Sequence, residues 1–332
     1  MVKATAPGKT ILFGEHAVVY DKLGIATAIN LRVSCEVSKA KSVVINNMST
    51  IKPTIEELMK INREVDEAIE KKDFVALKEM LGREINTCTE YIISQVLKKT
   101  KPEPFHMKNK SPLRKGMGGS ASIFSAEAKA MSELFNLKLS NKEISDIAYR
   151  GDIIAHAGTP SGLDNSTVTY GGYVAFRKSK GPELLNIKSK LPLVIGDTKM
   201  PASTGQTVAM VRGFVEKGDK AVIKAIDDID HISEKGIDAV KSGDLQRIGK
   251  LMDENQEKLR ILQVSSPELE KLIKAAKAAG AYGAKLSGGG GGGIMIAICD
   301  PKKQKLVADA INRAGGEAII TEIGVEGVRI EK

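Results

Sequence analysis

The residues best suited to chemistry lie in four short segments, and the most informative is SPLRKGMGGSASIFSAEAKAM, residues 111–131. Gly116, Gly118 and Gly119 let the backbone come close to a ligand and adopt positive φ. Ser120 and Ala121 open a helix whose N-terminus carries about half a positive charge. A loop of this kind aims N–H groups at an anion, and phosphate is the obvious guest. The plainer alternative is a tight helix-entry turn with an N-cap serine. No Gly-Lys-Ser/Thr closes the segment, which excludes a P-loop, and no strand signal runs directly into the glycines as a dinucleotide site requires.

Asp164 lies in AGTPSGLDNSTVTYGG, which reads as a turn ahead of a strand, a place where a carboxylate can be held rigidly at a cleft. The alternative is an aspartate that bonds its own turn backbone. In APGKTILFGEHAVVY, Lys9 and Glu15 are an even number apart and share a strand face if the pleat is regular, although Gly14 is able to break that register. His16 is adjacent; without further context it reads as a satisfied core residue, and Lys9 as a stem packed on apolar surface. The run Gly288 to Gly293 is expected between a helix and a buried strand. Its entropic cost makes sense where the chain turns tightly or approaches another backbone or a ligand.

Elements that must carry these segments follow from pattern. Residues 2–44 read as strands, HAVVY among them, and residues 54–99 as helical, with apolar positions at Ile55, Leu58, Ile61, Val65 and Ile69. Helices are expected over 120–134 and 141–154, then strands in STVTYGGYVAFRK and LPLVIGDTK on either side of the polar connector SKGPELLNIKSK. The domain boundary is placed there, giving residues 1–187 and 188–332. Beyond it, helices near 205–217, 219–241, 243–259 and 266–279 combine with strands GGIMIAIC, EAIITEI and GVRIEK in an α+β arrangement.

The 332 residues suffice for two cores. The net charge of +9 would permit a nucleic-acid partner, but lysines alternate with acids along helix faces, and aromatics are 4% with no Trp, leaving little to stack on bases. Three scattered cysteines argue against a disulfide framework and for a reducing, cytoplasmic setting. Gly14, Glu15 and His16 interrupt the N-terminal apolar run before it reaches signal-peptide length, and no membrane span is expected.

Together, in this order and spacing, the four segments resemble the GHMP kinases, a family named for galactokinase, homoserine kinase, mevalonate kinase and phosphomevalonate kinase. APGKTILFGEHAVVYDKLGIATAINLR is similar to the start of the members that phosphorylate mevalonate, and galactokinases differ after Gly-Glu-His. The likeness extends through GTPSGLDNSTVTYGG, DTKMPASTGQTVAMVR, MDENQEKLRILQVSSPELEKL and GAKLSGGGGGG, leaving about 42–108 unmatched.

The resemblance implies an α+β, two-domain fold with the active site in the cleft between the domains. The N-terminal domain would be ribosomal-protein-S5-like with a left-handed βαβ crossover, and the C-terminal domain ferredoxin-like. It implies ATP and Mg²⁺ as cofactors and transfer of the γ-phosphate to the primary hydroxyl of mevalonate, with phosphomevalonate or another small alcohol, or a non-catalytic ligand-binding role, as alternatives. It makes Asp164 the catalytic carboxylate with Lys9 beside it and the substrate hydroxyl. Asn109, Arg114, Lys115, Gly116, Met117, Gly118, Gly119, Ser120 and Ala121 would surround ATP, Ser120 and Asp152 would hold the metal, and Glu15, His16 and Ser287 would serve the acceptor pocket. No nucleic acid or membrane is implied, and a homodimer is left open. Gly119 stands where the family commonly has a second Ser, Asp152 where it has a Glu, and Ile294 where it has a small residue.

Overall fold

A computed structural model describes residues 1–46, 50–83, 86–156, 158, 160–187, 191–202 and 204–331 of the chain. It opens on two long antiparallel strands, β1 (Val2–Phe13) and β2 (Gly24–Lys39). HAVVY is not the strand its β-branched residues suggest: Ala17–Tyr20 form a 3-10 turn, entered through Gly14 and His16, both at positive φ. Glu15 therefore lies beyond the end of β1, and the shared strand face expected for Lys9 and Glu15 does not exist.

Two short strands, β3 (Val44–Asn46) and β4 (Thr50–Ile51), lead into the helical region. It divides into α1 (Ile55–Glu70), α2 (Phe74–Arg83) and α3 (Thr87–Leu97). Thr54 and Glu57 close a capping box at the start of α1, and α3 is buried along its whole length. Strand β5 (Phe105–Lys110) pairs β2 and β3. Past the glycine loop come α4 (Gly119–Leu134) and α5 (Asn141–Ala155). A Cβ on Gly151 would lie 2.7 Å from both Ile92 and Phe124, so this glycine lets α3, α4 and α5 converge.

The Asp164 segment is a helix, α6 (Leu163–Tyr170), rather than a turn before a strand. Gly162 enters it at φ 94, and the hydroxyls of Ser166 and Thr167 bond back to the Gly162 and Leu163 carbonyls at 2.7 Å each. Hydroxyls that back-bond within the helix, together with burial of residues 165–169, override the β-propensity of Thr and Val. Strands β6 (Tyr173–Arg177) and β7 (Gly181–Leu185) form a hairpin on β2, so the polar connector supplies a strand as well as a link.

The rest of the chain comprises β8 (Leu193–Asp197), α7 (Thr204–Glu216), α8 (Lys220–Ser242), α9 (Leu245–Ile261), α10 (Pro267–Ala278), β9 (Gly283–Ser287), β10 (Ile294–Ile298), α11 (Gln304–Arg313) and β11 (Glu317–Ile320). Its antiparallel sheet has the order β11-β8-β10-β9, the split β-α-β arrangement of a ferredoxin-like domain. The glycine run joins two strands, β9 and β10, not a helix and a strand. The final strand, β12 (Arg329–Ile330), returns to β1 and completes the eight-stranded first sheet. Among the described residues no helix is long and apolar enough to cross a membrane.

One apolar core lies under the first sheet against α1, α3, α4 and α5. A second joins Leu12 and Phe13 of β1 to Leu193, Ile195, Ile294 and Ile296 of the other sheet, so the two halves share buried surface at the base of the cleft.

Acids are buried inside the first core, and Glu127 is fully so. Glu127 on α4 accepts hydrogen bonds at Oε1 from Thr89 (2.9 Å) and Asn109 (2.6 Å), while Oε2 has no partner. Burial pushes its carboxyl up to about 8. A carboxyl raised this far binds its proton more tightly in the folded chain, so stability is intact at acid pH and falls as pH rises from about 4.5 towards 8. Glu127→Gln, which cannot ionise, is expected to match the wild type in thermal midpoint near pH 5 and to exceed it increasingly up to pH 8.5. Equal pH profiles of the two proteins would refute this.

Candidate active site

A cavity of about 400 Å³ opens between the two halves, lined from one side by the glycine loop and α6 and from the other by α7 and the start of the glycine run. Lys9 enters from mid-β1 and is 3% exposed. Its Nζ lies 3.1 Å from Asp164 Oδ1, and its backbone N–H donates to the Met117 carbonyl at 2.9 Å, stitching β1 to the loop. The Lys9 stem crosses Gly118, where a Cβ would lie 2.8 Å from Lys9 Cγ. Gly118 itself is at φ 74, so the position is closed to side chains on two counts. Asp164 occupies the first turn of α6, where the helix dipole favours its negative charge.

Across the cavity floor, Ser120 Oγ on α4 donates to Asp152 Oδ1 on α5 at 3.0 Å. Asp152 is buried, which pushes its carboxyl up to about 7; His156 pulls it down and the charge of Asp164 pushes it up. Among the described residues no cluster of three or more His, Cys, Asp or Glu side chains is arranged to hold a metal. A hydroxyl beside a desolvated carboxylate nonetheless fits Mg²⁺, which is commonly bound by one or two carboxylates with substrate phosphates and water completing the shell.

Where the glycine run meets the cavity, His16 Nε2 lies 2.9 Å from the Gly289 carbonyl. A carbonyl only accepts, so Nε2 carries the proton and Nδ1 is left as an acceptor. Burial holds this imidazole below its ordinary pKa, in the neutral form. Glu15 lines the same wall.

Other residues singled out in the sequence stand further back. Ser287 does not line the cavity: its hydroxyl is shared among Thr10 Oγ1 (2.9 Å), the Ile11 N–H (2.9 Å) and the Ile11 carbonyl (3.1 Å), so it clamps β9 to β1. Asn109 turns its amide inward to Glu127, and Arg114 pairs with Glu317 at 2.9 Å. Met117 and Ala121 are buried beneath the loop and Lys115 is exposed. Gly116, Gly118, Gly119 and Ser120 do line the cavity. Sequence reasoning missed His156 and, on α7, Thr204 and Arg212, which also line it. The segment DTKMPASTGQTVAMVR drew attention as a whole, but nothing in its spacing marked the arginine as facing a ligand.

Family models for the "GHMP kinases N terminal domain" and "GHMP kinases C terminal" match residues 76–172 and 237–317. Mevalonate kinase of Pyrococcus furiosus is 34% identical over 100% of this chain and 98% of its own length. That of Thermococcus gammatolerans is 36% identical with the same coverage. This chain belongs to the mevalonate kinase family of GHMP kinases. Among solved structures, Methanococcus jannaschii mevalonate kinase superposes with a TM-score of 0.79 at 25% identity, covering 97% of this chain and 98% of the other. L. major mevalonate kinase in complex with R-mevalonate gives 0.76 at 28% identity, covering 97% and 95%.

Two departures from the GHMP kinase pattern have simple local explanations. A Cβ on Gly119 would meet nothing within 4 Å, so the missing serine leaves open space at the cavity edge. Ile294 packs against the loop, its Cγ1 3.2 Å from where a Gly116 Cβ would be. Gly118→Ala should displace Lys9 and cut turnover at least about tenfold, the cost of roughly 1.4 kcal/mol of lost alignment. Gly119→Ser should fold normally and keep turnover within about threefold of wild type. ADP release by both variants checks the pair, and the reverse order would refute the assigned crossing.

Proposed function

We propose that this chain transfers the γ-phosphoryl group of ATP to the primary hydroxyl of mevalonate, giving 5-phosphomevalonate and ADP. The observation that carries the reading is the Lys9–Asp164 pair, 3.1 Å apart, beside the glycine loop, in a chain similar over its whole length to mevalonate kinases. The change of sheet between β7 and β8 supports dividing the chain at 187/188, with the reaction in the cleft between the two units.

The hydroxyl oxygen attacks the γ-phosphorus, the bond from phosphorus to the β,γ-bridging oxygen breaks, and the hydroxyl proton passes to an Asp164 carboxylate oxygen. The transition state is loose and needs alignment and charge neutralisation more than covalent help. The N–H groups of the loop at 116–120 and the N-terminus of α4 face the phosphate oxygens. Lys9 holds the Asp164 carboxylate at one place on the wall, 3.1 Å from its ammonium. Ser120 and Asp152 would hold Mg²⁺, which supplies charge neutralisation on the phosphate oxygens. Arg212, the one guanidinium among the cavity-lining residues, is placed to meet the carboxylate of mevalonate.

Asp164→Ala is expected to lower turnover by roughly 10² to 10⁴ while ATP binding is largely kept. Unchanged turnover would remove Asp164 from the mechanism. Arg212→Met should raise the KM for mevalonate about tenfold or more, the size of a lost charged contact, with the KM for ATP little changed. A panel of alcohols assayed with ATP and Mg²⁺ tests the acceptor itself, and equal or greater turnover on phosphomevalonate would reassign it.

A further inference from the structure

A second ion pair lies behind the catalytic one. Glu15, just past the end of β1, is 1% exposed, and Lys285, in the middle of β9, is 0% exposed. The Lys285 ammonium bonds Glu15 Oε1 and also the Leu286 carbonyl at 2.7 Å. Glu15 sits in the turn that leaves β1 of the first sheet and Lys285 in β9 of the second, so the pair spans the join between the two halves at the depth of the cavity. Glu15 Oε2 is buried and has no hydrogen-bond partner, although Glu15 lines the cavity.

Stability does not account for this arrangement. Desolvating two charges costs about as much as their attraction returns, and apolar residues of similar volume often do as well or better. The surroundings would accept them, since Leu286, Ala284 and Ala17 are all buried nearby in one apolar cluster. A carboxylate oxygen left unpaired at this depth adds a further cost, which a ligand donor would offset.

We infer that Lys285 is a positioning residue: it fixes Glu15 as an anion with Oε2 free, and that oxygen accepts a hydrogen bond from a second, non-reacting hydroxyl of the acceptor. The inference rests on the reading of the cavity as the site of mevalonate, whose 3-hydroxyl is the group in question. Burial pushes the Glu15 carboxyl up and the Lys285 amine down, and each opposes the shift of the other. Lys9 adds a weaker pull on Glu15. Removing the Lys285 charge removes the main opposition, so Glu15 takes up a proton and loses both its fixed orientation and most of its strength as an acceptor.

The test compares wild type, Lys285→Met and the double variant Glu15→Met/Lys285→Met with mevalonate and with 5-hydroxy-3-methylpentanoate, which lacks the 3-hydroxyl. Steady-state constants and thermal midpoints are measured for each. Wild type should prefer mevalonate by roughly tenfold to hundredfold, the range set by one hydrogen bond to a charged group. Lys285→Met should bring the two acceptors within about threefold of each other, by raising the KM for mevalonate while the KM for ATP stays within about twofold. The double variant should regain the thermal midpoint without regaining the preference. A purely structural pair predicts otherwise: discrimination would survive in Lys285→Met, or would return with stability in the double variant, and either result overturns the inference. Wild type that phosphorylates other alcohols but not mevalonate would overturn the acceptor reading first, and this inference with it. Should Lys285→Met fail to fold, the double variant alone decides by its acceptor preference.

Discussion

The architecture of the cleft turns on a single crossing, the passage of the Lys9 side chain over Gly118 to reach Asp164. An ammonium brought into the interior is tolerable only with a partner, because an unpaired buried charge costs several kcal/mol. Asp164 supplies the partner from the first turn of α6, and α6 can begin there only because Gly162 adopts φ 94 with its Cα hydrogens facing the Phe176 ring, where a Cβ would lie 2.8 Å from Cζ. The phosphate loop is held by the same strand, through the Lys9 N–H and the Met117 carbonyl. Two glycines far apart in sequence thus set one charged pair at 3.1 Å.

The second constraint is the seam between the sheets. Ser287 distributes its hydroxyl over Thr10 and Ile11, and the shared apolar core joins Phe13 to β8 and β10. Gly236 on α8 lets the Phe13 ring pack closely, since a Cβ there would lie 2.8 Å from it. The return of β12 to β1 passes the end of the chain back across the first sheet. These contacts fix the base of the cleft. Arg212, by contrast, is exposed on α7 where that helix lines the cavity.

Much of the site was legible because its signals are backbone signals. Glycines at positive φ, a serine at a helix start and a glycine run before an apolar strand each announce a conformation, and Gly116, Gly118 and Ser120 fall where that logic places them. What misled was local propensity. Val18 and Val19 read as strand, yet the positive φ of Gly14 and His16 turns the chain into a 3-10 turn. Ser166, Thr167 and Val168 read as strand, yet burial and back-bonded hydroxyls make them helical. Lys285 was invisible for a different reason: a lysine in a β-strand gives no sign that its partner waits in a turn 270 residues earlier. Ser287 and Asn109 came from the family resemblance alone, and which way a hydroxyl or amide turns depends on tertiary packing.

The charges along the cavity wall then have a common logic. Asp164, Lys9, Glu15 and Lys285 alternate in sign, and the field of Lys9 reaches both members of the buried pair. Alternation lets four charged groups be carried into a poorly hydrated cleft, because each offsets part of the desolvation of its neighbours. Asp152 stands outside that row. Its carboxylate receives a neutral hydroxyl from Ser120 and feels the repulsion of Asp164, which with burial accounts for its raised pKa. A triphosphate approaching the loop would add negative charge to a floor already short of positive charge. Burial and the charge of Asp164 both push the Asp152 carboxyl up, so any positive charge arriving beside it would act against both and favour its ionised form.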